Sequence, residues 1–155
     1  MLDALGQKII AELQEDARQS FREIGRKLKV SEGTVRNRVK ALIKNDTIKI
    51  SAMPNPQRLG LNFMCVMCIE VKVGTAEKVE QRLIQSPNVY YLCGCTGTYD
   101  VIGIFVFPSP AEFDKFVKDV IAGIPEIVRT TTFVAMHISR SPWEHNLDVT
   151  ALVKS

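Results

Sequence analysis

The chain has no long apolar run. Its longest, residues 63–69 and 101–107, fall far short of the roughly 20 residues a membrane-spanning helix needs. Asp3 and an amphipathic spacing stand where a secretory signal would place an unbroken apolar stretch, so none is expected. Without that signal, the four cysteines are expected as free thiols in a reducing compartment, the cytoplasm, with no membrane partner. Neither histidine, His137 or His145, has metal-ligand spacing to a neighbouring His or Cys. The sequence also lacks a P-loop, a dinucleotide-type glycine pattern, a nucleophile elbow and any clustered acid/base pair. No catalytic residue is identified, and an enzyme is not expected. The single tryptophan, Trp143, reads as an interface anchor rather than a cofactor contact.

The net charge is small but unevenly placed. The net +3 of the 155 residues divides into +4 over residues 1–50 and −1 over the remainder. A basic first third beside a weakly acidic remainder suggests one part that meets nucleic acid and another with a different task.

The basic part centres on residues 20–44. Phe21, Ile24 and Leu28 recur at helical spacing, with Ser20 and Glu23 placed as a capping box. Val35, Val39, Leu42 and Ile43 make a second stripe, with Ser31 as its N-cap. Gly25 costs about 1 kcal/mol relative to alanine inside a helix, so a close crossing there must require a small residue. Leu5, Ile9 and Leu13 give a preceding helix capped by Asp3. Three such helices form a helix-turn-helix unit whose last helix enters the DNA major groove. The side of that helix away from its apolar stripe carries Gly33, Asn37, Lys40 and Lys44, flanked by Thr34, Arg36 and Arg38. These seven are the candidate DNA-binding residues, against the plainer reading of a solvated basic helix. Ile48-Lys49-Ile50 alternates like a short strand and predicts a winged variant.

Residues 51–61, broken by Pro54 and Pro56, read as a linker between a domain at 1–50 and another at 62–155. The second domain reads strand 62–73, helix 75–86, strand 89–95, strand 99–107, helix 110–122 and strand 128–138. That order, β-α-β-β-α-β, predicts an α+β, ferredoxin-like, four-stranded antiparallel sheet with both helices on one face. The strands at 63–69 and 101–107 are apolar on both faces, whereas a solvated face should alternate with polar residues. A second copy packed sheet to sheet would cover the open face, and a dimer also suits paired half-sites on DNA. The alternative is that residues 139–155 fold back over the sheet.

Cys65, Cys68, Cys93 and Cys95 invite a zinc reading. On strands, however, Cys65 and Cys68 face opposite sides, which one ion cannot easily collect. No metal and no cofactor are expected. Asp100, the only acid between Glu80 and Glu112, opens an apolar strand just after Gly97. It could pair with a ligand ammonium or simply stabilise a turn.

The sequence resembles the Lrp/AsnC, or feast/famine, family of transcription regulators over essentially its full length. The resemblance rests on Leu2-Asp3, on the run IIAELQEDARQSFREIGRKLKVSEGTVRNRVKALIKNDTIK, and on the GTYD turn Gly97-Thr98-Tyr99-Asp100. Lys29 departs from it, at a turn position where the family often has glycine. The resemblance implies a winged helix-turn-helix joined to a ferredoxin-like effector domain, sheet-to-sheet homodimers and, in many members, octamers. It also implies a free amino acid as effector, bound near Gly97, Thr98, Tyr99 and Asp100, with Thr130 and Thr132 (and Thr131 between them) as further candidates for a ligand's polar end. The expected function is therefore a sequence-specific regulator of transcription that binds double-stranded DNA and answers to an amino acid. The competing reading is a ferredoxin-like metal- or small-molecule-binding protein tethered to nucleic acid by its basic domain.

Overall fold

The computed structural model describes residues 2–140 and 146–152, so the readings of Trp143 and His145 lie outside the described residues. The chain forms two units. One holds the described residues up to Met53 with Arg140 and residues 146–152; the other is Pro54–Ser139.

In the first unit, α1 is Ala4–Glu15, α2 Phe21–Leu28 and α3 Glu32–Lys44. Each begins where a short polar side chain takes up an orphan N–H. Asp3 accepts from Gly6, Ser20 from Glu23 and Ser31 from Thr34. Ile9, Ile24, Val35 and Val39 meet at the centre, essentially inaccessible to water. Each contributes about 1.5–3 kcal/mol by burial. Gly25 is required by the turn that follows α2, because a Cβ there would stand 2.8 Å from the Val30 carbonyl oxygen. Lys29 caps α2 in the left-handed conformation, φ 57° and ψ 40°.

Two expectations change here. Residues 48–50 form no strand, so among the described residues the helix-turn-helix carries no β-wing. Alternation makes a strand only where a ladder partner exists. Ile48 instead packs on the helical core, and its N–H approaches the Leu42 carbonyl at 3.4 Å. The domain expected to run from 62 to 155 also ends earlier. A last helix, α6 (Val149–Leu152), joins the helical unit, where Val149 packs on its core. Gln14 donates to the Leu147 carbonyl at 3.0 Å, and Asn146 to the Gln14 carbonyl at 3.1 Å.

In the second unit β1 (Phe63–Val71), α4 (Ala76–Leu83), β2 (Val89–Gly94), β3 (Val101–Phe107), α5 (Pro110–Phe116) and β4 (Ile127–Val134) follow in order. The sheet runs β2-β3-β1-β4, antiparallel throughout. One face is closed by α4 and α5, whose Val79, Leu83 and Phe116 pack on Met67, Ile69, Phe105 and Phe107. Gly103, facing Met67 across the ladder, leaves room on this face for the Phe105 ring and Leu92. After Phe116 the expected helix to residue 122 widens into a π turn, Val117–Ile121, in which Ala122 N–H donates to the Val117 carbonyl. The other sheet face carries Met64, Val66 and Ile104, all partly exposed, and Phe133, 58% exposed.

All four cysteines are free thiols. Cys65 and Cys68 fall on opposite faces, paired with Phe105 and Ile102 respectively. Burial alone pushes the Cys65 thiol up to about 11. No helix among the described residues is long and apolar enough to cross a membrane.

Candidate nucleic-acid interface and effector turn

Val35, Val39 and Leu42 turn one side of α3 into the helical core, which leaves the opposite side to solvent. Gly33, Asn37, Lys40 and Lys44 are all exposed there. The side chains of Asn37, Lys40 and Lys44 make no hydrogen bond or ion pair with any described residue, so their donors are available to a partner. The three flanking candidates are engaged within the chain. Thr34 is half-buried, and its hydroxyl lies 2.8 Å from Ser31 Oγ at the N-cap. Arg36 pairs with Glu32 one turn earlier. Arg38 pairs with Asp3 at the start of α1, at 2.8 Å. Lys27 of α2 is likewise taken up within the unit: Nζ lies 2.6 Å from Glu12 of α1 and donates to Gln19, in the turn after α1, at 2.8 Å. Hydrogen bonding to Glu12 raises the Lys27 ammonium's pKa above the ordinary value.

Residues 95–100 form the loop between β2 and β3, and Cys95 closes it. Its N–H donates to the Asp100 carbonyl at 2.8 Å, and its thiol to the Tyr99 carbonyl at 3.1 Å. Loss of hydration, followed by the nearby Cys93 and Asp100, raises that thiol's pKa. Gly97 sits at φ 127°, in a region that favours glycine, and no atom lies within 4 Å of where its Cβ would be. Thr98 is exposed. Asp100 is tied to the end of β1: its N–H donates to the Ile69 carbonyl at 3.0 Å, and its Oδ2 accepts from Val71 N–H at 2.8 Å. That carboxylate therefore has a structural duty, and Oδ1 is its free acceptor among the described residues.

Tyr99 crosses to β4 on the sheet face away from the helices. Its hydroxyl lies 2.8 Å from Thr131 Oγ1, and the Arg129 guanidinium sits 5.8 Å from its ring centre. Arg129 also pairs with Glu70 at 3.1 Å. The structure thus brings Thr131 to the Gly97–Asp100 turn and leaves Thr130 and Thr132 elsewhere. Those two pair across the ladder with Ile69 and Met67, whose side chains point into the helix-covered core. Strand alternation separates them from their neighbour. Arg129 and Glu70 carried no distinguishing mark in the sequence.

A helix-turn-helix unit with an exposed polar α3 face and a separate antiparallel α+β unit make a chain of two parts. Residues 2–43 match the AsnC-type helix-turn-helix domain, and residues 64–143 match the Lrp/AsnC ligand binding domain. An HTH-type transcriptional regulator of Pyrococcus furiosus is 34% identical over 141 residues, 90% of this chain and 95% of that protein. Another, from Methanocaldococcus jannaschii, is 37% identical over 120 residues, 77% of this chain and 81% of its own. The solved structure of AsnC from E. coli superposes with a TM-score of 0.88 at 21% identity, covering 96% of this chain and 99% of that one. A Neisseria meningitidis regulator solved as a complex with L-methionine superposes at 0.83 and 19% identity, covering 91% and 94%. The chain belongs to the Lrp/AsnC family of transcription regulators.

Proposed function

We propose that the chain reads duplex DNA with the outward face of α3 and adjusts that binding to a free amino acid held at the turn Gly97–Asp100. The observation that carries the first part is the set Asn37, Lys40 and Lys44, exposed and uncommitted opposite the buried stripe. An amide suits a base edge, and an ammonium suits a phosphate. The amino-acid effector is supported by the open turn around Gly97 and by the L-methionine complex of the Neisseria regulator. Asp100 Oδ1 is the acceptor offered to the ligand's ammonium. Calorimetry with the free amino acids tests this. Asp100→Asn can still accept from Val71 N–H while losing its charge, so it should abolish ligand heat and leave folding intact. Full-affinity binding by that variant would remove the site.

The same reading requires a dimer. Met64, Val66, Ile102, Ile104, Tyr91 and Phe133 share the uncovered sheet face by register, and an apolar face of this kind favours a second copy. A lysine at Ile104 should prevent folded dimer from forming. Sedimentation of the unchanged chain as a folded monomer at micromolar concentration would contradict it.

A further inference from the structure

Arg38 lies beside the buried stripe of α3 rather than opposite it. At about 100° per residue, Arg38 stands roughly 65° from the centre of Val35, Val39 and Leu42, whereas Asn37 and Lys44 stand near 180°. Its guanidinium Nη2 is 2.8 Å from Asp3 Oδ2. The other oxygen of that carboxylate, Oδ1, accepts the Gly6 N–H at 2.9 Å and caps α1. One side chain therefore both starts α1 and holds α3. The junction borders a cleft of about 400 Å³ lined also by Leu2, Gly6, Ala41 and Asn45. A guanidinium at the positive end of α1 is unfavourable unless a carboxylate stands between. Asp3 is that carboxylate.

We propose that Arg38 is a positioning residue that fixes the recognition helix to the start of α1 through Asp3 and contacts neither base nor phosphate. The inference rests on α3 being the element that meets DNA. Its test uses the full chain and a duplex that the unchanged protein selects from a random pool. Asp3→Ser keeps a good N-cap but drops the ion pair, and Arg38→Gln drops it from the other side. Each should weaken binding by about two- to five-fold, the scale of a half-exposed ion pair. The double variant should be no weaker than either single one. Salt slope and the preference for the selected duplex over single-base variants should stay unchanged.

A shallower slope or relaxed preference in Arg38→Gln, with Asp3→Ser silent, would overturn the proposal and make Arg38 a direct contact. Both variants silent would overturn it as well. Lys40→Ala is the control for the reading beneath it. If that change leaves the slope untouched, α3 is not the DNA-facing helix and the failure lies there, not with Asp3–Arg38.

Discussion

Lys29 holds a backbone conformation, φ 57°, that costs an ordinary L-residue roughly 1–2 kcal/mol. Glycine would relieve that strain but gives back part of the gain through the unfolded chain. Lys29→Gly should therefore raise unfolding stability by about 1 kcal/mol, read as a higher urea midpoint at unchanged m-value. A lower midpoint would contradict the left-handed cap. Cys65 supplies a pH signature. Its thiol is pushed from 9.0 in the free residue to about 11 in the folded chain. The unfolded chain loses that proton first, so its contribution is fully present below pH 9 and is lost as pH rises towards 11. Subtracting the pH profile of Cys65→Ala from that of the unchanged chain should expose the loss in that window. Parallel profiles would mean that Cys65 is not held neutral by burial.

The helices and their caps were legible because each signal is local. Asp3, Ser20 and Ser31 stand three residues before the N–H they accept from, and the apolar stripes repeat at helical spacing. The strands were legible in type and order, since 63–69 and 101–107 are short, continuous apolar runs bounded by turn signals. What depends on a distant partner was not. Ile48-Lys49-Ile50 has strand alternation but, among the described residues, no neighbouring strand to pair with. Thr131, rather than Thr130 or Thr132, meets Tyr99 because of how β4 registers on β1, and nothing within β4 itself announces that parity. The Asp3–Arg38 pair joins the first and third helices, and a basic helix face alone cannot show which cation is already spoken for.

The division of labour between the units follows from their surfaces. The helical unit hides its apolar stripe and offers a polar α3 face; the sheet unit keeps one apolar face uncovered and one tethered loop. A DNA reader that dimerises through its other unit doubles its phosphate contacts without enlarging either interface. The direct measurement of that account is the salt dependence of DNA affinity for the full chain, compared with Lys40→Ala/Lys44→Ala. Each phosphate contact contributes about 0.9 to the slope of log affinity against log salt concentration. The double variant should therefore bind every duplex more weakly and lose roughly two units of slope per recognition helix engaged. An unchanged slope and affinity would contradict the assignment of α3 as the surface that meets DNA.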